Sequence, residues 1–182
     1  MNKSIIRGRA WILSDSEGRL IEDIDTDQIY HNAFLYITEL SQMGKYALGN
    51  LDGWQDFSEK VQPGDIVFAG RNFGAGSSRQ QAVDCFHSLG IGLICAPSFG
   101  AIYFRNAVNS GFPVLKSSNI GSLCSGRKLE TGDELQINVL SGEGRNFTKN
   151  QAFQLEAMSA VQQEIFAAGG LFGYGRKMNA GN

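Results

Sequence analysis

The sequence predicts an α/β fold with a mixed sheet core, flanking helices, and C-terminal hairpins followed by a helix. Two short apolar runs, Ile66 to Ala69 and Ile91 to Ala96, each precede residues at helical spacing, as in the strand–helix units of parallel sheets. From residue 129 onward, apolar and polar residues alternate, which is typical of antiparallel hairpins. At 182 residues, 42% of them hydrophobic, the chain is expected to form one domain over residues 1–182.

The elements before the glycine-rich region are predicted from composition and turn residues. Ser4 to Leu13 contains β-favouring residues and predicts a strand, which the turn residues Asp15 to Gly18 end. Residues 24–29 place polar side chains between apolar flanks, and residues 34–56 show no sustained period. Both stretches therefore predict a loop with short helices. A turn at Pro63 to Asp65 precedes the first apolar run.

Two strand–helix units follow. The first apolar run leads through a glycine-rich loop, Gly70 to Gly76, into a helix that is expected to open at Ser77 to Gln80. The second run leads into a helix that is expected to start at Pro97-Ser98 and to end at Gly111. Phe112 to Leu115 is then the next parallel strand, because such units return by a right-handed crossover.

The C-terminal third is predicted to contain hairpins and one helix. Residues 129–139 alternate around a glycine turn, and residues 141–148 contain a second turn followed by polar and aromatic residues. Apolar residues recur at helical spacing from Leu155 to Ile165. This segment predicts an amphipathic helix that stops at Gly169-Gly170.

Composition narrows the class of protein. A formal net charge of −2 gives no electrostatic basis for binding a nucleic acid or an anionic membrane. No apolar stretch reaches the roughly 18 residues of a membrane span, and the first residues do not resemble a secretory signal, so a cytoplasmic protein is expected. The spacing of Cys85, Cys95 and Cys124 contains no C-x-x-C clip, so we expect buried thiols and no metal bound by this chain.

The glycine-rich loop is the main candidate site. A loop that leads into a helix N-terminus presents unpaired N–H groups and a partial positive charge, which favour an anion. Ser77 and Ser78 add hydroxyl groups, and the guanidinium of Arg79 can grip a carboxylate in a bidentate manner. A purely structural alternative stays open, because Ser77 followed by Gln80 also fits a capping box. The loop lacks the Gly-Lys-Ser/Thr order of a P-loop.

Other polar residues are expected to be structural. Asp23, Asp25 and Asp27 could bind a cation, but such residues in a tight turn more often bond to their own backbone. His31 and His87 lie outside any triad-like context, and no G-x-S-x-G elbow is present. The residues alone leave open whether Arg105-Asn106 faces the site.

Taken together, these segments resemble one family, the small subunit of 3-isopropylmalate dehydratase and homoaconitase. The resemblance covers nearly the whole chain in order. It is carried by Asp25-Thr26-Asp27-Gln28-Ile29, Gly64-Asp65, Asn72-Phe73-Gly74-Ala75-Gly76-Ser77-Ser78-Arg79, Ser98-Phe99, Tyr103-Phe104-Arg105-Asn106, Gly111-Phe112-Pro113-Val114, Thr131-Gly132-Asp133-Glu134-Leu135 and Gly169-Gly170-Leu171.

The resemblance implies a swivelling β/β/α domain that closes over a large subunit carrying a 4Fe-4S cluster, in a heterodimer or heterotetramer that dehydrates and rehydrates a small 2-hydroxy diacid. Ser77 would be the base that removes a carbon-bound proton. Ser78 and Arg79 would bind a substrate carboxylate, and Asn72, Gly76 and Asp27 would complete the substrate site. This chain itself would bind no cofactor and would be inactive alone.

The chain departs from the family pattern at three places. Ala75 stands where the family commonly has Cys, and Gln80-Gln81 stands where it commonly has Glu-His. The substrate-selecting loop, Phe34, Leu35, Tyr36 and Ile37, has no arginine or lysine to hold a third carboxylate. The loop therefore favours an apolar substituent, as in isopropylmalate, over homocitrate or citrate, while other 2-hydroxy diacids such as dimethylmalate fit equally.

Two further hypotheses stay open on the sequence. The neutral Gln80-Gln81 pair is compatible with a catalytically silent binding or regulatory module of the same fold. A free-standing phosphate-binding enzyme is the other, because a glycine loop before a helix also suits a phosphate.

Overall fold

The computed structural model describes residues 4–180, and its centre is a seven-stranded mixed sheet in the order β4-β3-β2-β1-β5-β6-β7. The parallel part pairs β1 with β2, β2 with β3, and β3 with β4. On its other edge β1 pairs antiparallel with β5, which continues into β6 and β7. The strands are β1 (Ile5–Ile12), β2 (Ile66–Phe68), β3 (Leu93–Ala96), β4 (Val114–Lys116), β5 (Glu134–Asn138), β6 (Glu143–Asn146) and β7 (Gln151–Gln154).

The central strands are buried on both faces because their residues are apolar without alternation, as expected in a parallel sheet covered on both sides. Val67 and Ile94 point into one hydrophobic cluster, and their neighbours Ile66 and Leu93 point into the other. The predicted α/β class with a mixed sheet and C-terminal hairpins is confirmed.

Helices cover both faces of this sheet. Buried side chains of α4 and α5 belong to the first cluster, and those of α6 belong to the second. Among the described residues, no helix is long and apolar enough to cross a membrane. The helices are α1 (Thr26–Ile29), α2 (Leu40–Met43), α3 (Phe57–Lys60), α4 (Gln81–Ser88), α5 (Ala101–Asn109), α6 (Ile120–Ser125), α7 (Ala160–Ala167) and α8 (Leu171–Ala180), with 3-10 turns at Asn32–Phe34 and Gly44–Tyr46.

Three predicted boundaries are wrong. The first crossover helix begins at Gln81 and not at Ser77, and the second begins at Ala101 and not at Pro97. The C-terminal helix begins at Ala160, after a capping box between Ser159 and Gln162, so Leu155 lies outside the helix. The sequence also gave no indication of α6 and α8.

The hairpin expected around Gly132 is also wrong, because this glycine lies in a turn that leads into β5. The same kind of turn leads into β2. In each turn a glycine with positive φ precedes an aspartate, Asp65 or Asp133, whose carboxylate accepts the N–H of the residue three positions earlier. Both aspartates are buried, and each stabilises the turn that directly precedes its strand by a hydrogen bond within that turn.

Candidate functional site

The candidate site lies at the carboxyl ends of β2 and β3, the edge where ligands commonly bind in open α/β sheets. The glycine-rich loop that follows β2 runs beside residues 21–26 in a ladder of backbone hydrogen bonds. Asp23 N–H donates to the Arg71 carbonyl at 2.8 Å, Gly74 N–H to the Ile24 carbonyl at 2.7 Å, and Thr26 N–H to the Ala75 carbonyl at 2.9 Å. The loop is therefore fixed to the Asp-Thr-Asp segment before it reaches Ser77.

Two glycines in the loop are required by the backbone. Gly74 has φ +76°, and a Cβ placed there would lie 2.3 Å from the Tyr103 ring, so α5 can approach the loop only at a glycine. Gly76 has φ +91° and turns the chain toward Ser77. The structure therefore gives Gly76, a predicted binding residue, a conformational role in the loop.

Residues 77–80 form an irregular turn in front of α4. Ser77 and Ser78 are exposed. The N-cap residue of α4 is Gln80, and its side chain makes no capping hydrogen bond. The capping box that was the structural alternative does not form, because Gln80 donates to Asp84 at 2.9 Å instead. Within the described chain, the N–H groups of Gly76, Ser77 and Ser78 and the hydroxyls of both serines make no hydrogen bond. These donors remain available to a ligand.

Arg79 is oriented by the protein and keeps one edge unused. Its Nη1 donates to Asp27 Oδ1 at 2.7 Å and to the Tyr30 carbonyl at 3.1 Å. Nε and Nη2, which form the side-on edge that fits a carboxylate, donate to none of the residues the structure describes. The side chain is only 15% exposed, so this edge has a fixed direction.

Asp27 is the residue that orients Arg79, and it does so as an anion. The hydrogen bond from Arg79 lowers the pKa of the Asp27 carboxyl below its usual value. Asp27 also accepts from the Asn32 N–H at 3.1 Å and from Asn50 Nδ2 at 3.3 Å. Both of its oxygens are occupied, so the structure brings Asp27 to the site as a support for Arg79.

The other aspartates of the motif have separate structural partners. Asp25 is the N-cap of α1 and forms a capping box with Gln28. Asp23 accepts from Asn72 Nδ2 at 2.8 Å. In the range 4–180 no group of three or more His, Cys, Asp or Glu side chains could hold a metal ion. The expected bonding to the local backbone is therefore found for Asp25, which accepts from the Asp27 and Gln28 N–H groups, whereas Asp23 accepts from a distant side chain.

Asn72 lies at the exposed end of the glycine loop and is fixed on two sides. Its φ is 58°, in the left-handed region, and its N–H donates to Ser98 Oγ at 2.9 Å. Ser98 in turn belongs to the segment between β3 and α5. The loop and this segment thus meet at Asn72, at the same edge of the sheet as Ser77.

The substrate-selecting loop is tied to Arg79 through Tyr30 and Asp27, but its four residues differ in exposure. Tyr36 is 76% exposed and Leu35 is 36% exposed. Ile37 is buried in the first hydrophobic cluster, and Phe34 stacks on Tyr46 with 3.9 Å between ring centroids. Leu35 and Tyr36 are therefore the residues of this loop that can reach a ligand.

Sequence reasoning did not find the roles of Tyr30, Asp23 or Asn50. These roles depend on contacts between segments that are far apart in sequence. Of the residues with an expected structural role, His31 accepts the Ala33 N–H and begins a 3-10 turn. Cys85 is buried, and burial raises the pKa of its thiol.

Comparisons with known proteins point to a single family. The chain matches the family model described as the aconitase C-terminal domain over residues 19–119. It is 35% identical over 178 residues to an isopropylmalate/citramalate isomerase small subunit of Methanocaldococcus jannaschii, covering 98% of each chain. It is 35% identical over 173 residues to a 3-isopropylmalate dehydratase small subunit of Methanosarcina acetivorans, covering 95% of this chain and 98% of the relative.

A solved structure is similar as well. The crystal structure of a 3-isopropylmalate dehydratase from Methanocaldococcus jannaschii superposes with a TM-score of 0.81 at 32% identity. The match covers 97% of this chain and 96% of that chain. The similarity therefore includes the parallel strands, the glycine-rich loop and the C-terminal hairpins.

Proposed function

Because the chain belongs to the aconitase C-terminal-domain family, among the 3-isopropylmalate dehydratase small subunits, we propose that it is one half of a cytoplasmic hydro-lyase. The enzyme interconverts 2-isopropylmalate and 3-isopropylmalate by dehydration and rehydration, a step of leucine biosynthesis. The observation that carries the proposal is the unused Nε/Nη2 edge of Arg79, held two residues after the exposed hydroxyl of Ser77.

Substrate binding follows from the geometry of Arg79. A dicarboxylate substrate places one carboxylate on the side-on edge of the guanidinium, in two parallel N–H···O bonds. Asp27 holds the other end of the guanidinium and so contributes to substrate binding through Arg79. The N–H groups of Gly76 to Ser78 and the Ser78 hydroxyl supply further donors to the same anion.

Ser77 takes the proton in this proposal. Dehydration removes a proton from one carbon and a hydroxyl from its neighbour, and rehydration adds both back in exchanged positions. A serine hydroxyl is too weak a base in water, so the unpaired N–H groups around it must stabilise the alkoxide. Ser77 Oγ removes the carbon-bound proton, holds it during the unsaturated intermediate, and returns it to the other carbon.

The described residues do not fit the 4Fe-4S cluster that the family implies. Cys85 and Cys95 are buried, and burial raises the pKa of both thiols, so neither is a thiolate ready to bind iron. Cys124 is partly buried, with a pKa raised to about 11. We therefore propose that a large partner subunit carries the cluster and provides the electrophile for the leaving hydroxyl.

The substrate-selecting loop supports the choice of substrate. Leu35 and Tyr36 offer apolar surface and no cation, which suits an isopropyl group better than a third carboxylate. Dimethylmalate and the homoaconitase substrates are the alternatives within the same reaction class. They are distinguished by assaying each diacid with the same enzyme preparation.

The test is reconstitution. This chain is mixed with a cluster-loaded large subunit of 3-isopropylmalate dehydratase, and the conjugated unsaturated diacid is followed by ultraviolet absorbance. We expect no turnover by either chain alone and turnover by the mixture. Ser77→Ala should lower kcat by about a thousandfold, the contribution of a positioned general base, while assembly measured by gel filtration is unchanged.

Ser16→Ala is the matched control, because Ser16 is an exposed serine whose side chain makes no hydrogen bond with the described residues. It should keep full activity. Equal activity of Ser77→Ala and the unaltered chain would refute the proposed base. Thermal stabilisation of the isolated chain by phosphate esters, without turnover in the mixture, would favour a free-standing phosphate-binding protein.

A further inference from the structure

The exposed end of the glycine loop is held by side-chain contacts that the proposed reaction does not use. Asp23 Oδ1 accepts from Asn72 Nδ2 at 2.8 Å, and beside them Glu22 Oε1 accepts from Arg71 Nε at 2.9 Å. We infer that Asp23 is a positioning residue that fixes the Asn72 carboxamide toward the substrate. This inference rests on the proposed function.

The hydrogen bond between Asp23 and Asn72 determines which atom of the Asn72 carboxamide has no partner. An ionised aspartate can only accept hydrogen bonds, so the amino group of the carboxamide must face Asp23. Oδ1 of Asn72 then points away from Asp23, and it accepts no hydrogen bond from the described part of the chain. An amide oxygen accepts from a hydroxyl group and not from a carboxylate. Asn72 is thereby prepared for the hydroxyl of a 2-hydroxy diacid.

The backbone of both residues is held in an uncommon conformation. Asp23 has φ 55° and Asn72 has φ 58°, in the left-handed region that Asp and Asn tolerate better than other side chains. The Asp23 N–H donates to the carbonyl of Arg71 at 2.8 Å, which links the two turns. Strained backbone of this kind persists where surrounding contacts fix it, commonly at functional sites.

Packing does not account for this arrangement. Asp23 and Asn72 are exposed and belong to neither hydrophobic cluster. An exposed polar contact contributes little to stability. What the contact does determine is the direction of one carboxamide, while Ser98 Oγ holds the backbone of Asn72 by accepting its N–H.

Two variants of Asp23 in the small subunit, assayed with the large subunit, test the inference. Asp23→Gly permits the left-handed backbone but removes the acceptor. Asp23→Asn keeps the backbone preference and can turn its own amide oxygen toward Asn72. We expect kcat/KM to fall roughly tenfold in Asp23→Gly, with the loss mainly in kcat, and to stay within about twofold in Asp23→Asn.

Asn150→Gly is the matched control. Asn150 also has positive φ, 50°, and a side-chain hydrogen bond, from Arg145 Nη2 at 3.2 Å, but it lies in the β6–β7 turn. It should leave kcat/KM and the signals of Asn72 unchanged.

A second readout does not depend on turnover. In nitrogen-15 spectra of the full small subunit, the Asn72 side-chain amide is the pair of signals that disappears in Asn72→Asp. These signals should move to the position of a solvated asparagine in Asp23→Gly and stay in place in Asp23→Asn. Unmoved signals in Asp23→Gly, or equal loss of activity in Asp23→Gly and Asp23→Asn, would overturn the inference. If the unaltered pair does not turn over isopropylmalate, the proposed function fails and the spectra alone decide the role of Asp23.

Discussion

Two arginine–aspartate pairs lie at opposite ends of β2, and they use the arginine in opposite ways. At the amino end, Arg9 turns its Nε/Nη2 edge onto Asp65, at 3.4 and 2.8 Å. At the carboxyl end, Arg79 gives only Nη1 to Asp27 and leaves the Nε/Nη2 edge unused. An arginine therefore has both donors of its Nε/Nη2 edge occupied by aspartate at the amino end of β2. At the carboxyl end, another arginine keeps the same edge free for a carboxylate.

The surroundings of the two aspartates follow this division. The Asp65 side chain is 3% exposed and also accepts from Trp11 Nε1 at 2.8 Å and from the Gln62 N–H at 2.9 Å. The Asp27 side chain is 35% exposed and lies beside an exposed loop. At Asp65 the hydrogen-bonding groups all have partners within the protein, which stabilises the fold. At Arg79 two donors have no partner among the described residues, which provides a group for binding a ligand.

The largest effect should come from breaking the closed pair. Asp65→Ala leaves the indole N–H of Trp11 and the backbone N–H groups of Arg9 and Gln62 without their acceptor, and the Arg9 guanidinium keeps only the Lys60 carbonyl. We expect the free energy of unfolding to fall by about 3 kcal/mol, because buried donors lose their acceptor, measured by urea denaturation of the isolated chain.

The control for this variant is Asp15→Ala, which removes a partner of the exposed Arg19 side chain. It should change the urea midpoint very little, because exposed pairs contribute little. If Asp65→Ala were as stable as Asp15→Ala, the distinction between a structural end and a binding end of β2 would be lost.

The second effect should appear in activity and not in stability. Arg79→Lys keeps a charge near Asp27 but cannot supply two parallel donors to a substrate carboxylate. We expect kcat/KM of the reconstituted pair to fall about a hundredfold, with a melting temperature close to that of the unaltered chain. Unchanged kcat/KM would instead support a silent binding or regulatory module, for which Gln80-Gln81 was the motivating feature.

The sequence predicted the elements whose signals are local. The runs Ile66 to Ala69 and Ile91 to Ala96 became β2 and β3, because continuous apolar stretches of this length suit doubly covered strands. The glycine-rich loop also has a local signal in the sequence, because Gly74 and Gly76 adopt positive φ angles that few other residues tolerate.

The helix starts could not be predicted, because distant contacts determine them. Arg79 reaches Asp27 and the Tyr30 carbonyl, and this holds residues 77–80 out of the helix that their spacing suggested. Leu155 and Met158 fitted a helical period, but their N–H groups donate to the Gly142 and Val139 carbonyls. A period of apolar residues carries no information about such partners.

The site residues Ser77, Ser78 and Arg79 stay a prediction from their motif. The structure adds that Asp27 holds Arg79 and that Asn72 lies in the glycine-rich loop that precedes Ser77. The contact from Asp23 to Asn72 joins residues 49 positions apart, so no local pattern could reveal it. Asp23 had been grouped with Asp25 and Asp27 by spacing alone.

A smaller effect is the pH dependence of the stability that Asp65 contributes at the amino end of β2. Burial alone would raise the pKa of Asp65, but hydrogen bonds from Arg9, Trp11 and Gln62 outweigh it and lower the pKa below the usual 3.8. A lowered folded-state pKa contributes stability that is fully present above the unfolded value and is lost as pH falls through the folded value. The stability difference between the unaltered chain and Asp65→Asn should therefore be constant from pH 7 to about pH 5 and shrink below about pH 4. Urea midpoints measured across this range test it, and a difference that grows on acidification would contradict it.

The smallest effect is expected within the substrate-selecting loop, where two neighbouring residues differ in exposure. Tyr36 is 76% exposed, whereas Ile37 is 7% exposed and packs in the first hydrophobic cluster. Tyr36→Ala should raise KM for isopropylmalate about threefold without altering stability, since a modest apolar contact with the substrate is lost. Ile37→Val should lower the unfolding free energy by about 1 kcal/mol and leave KM unchanged. Because exposure alone assigns these roles, the opposite pattern, with KM responding to Ile37 and stability to Tyr36, would show that the loop repacks when substrate and partner bind.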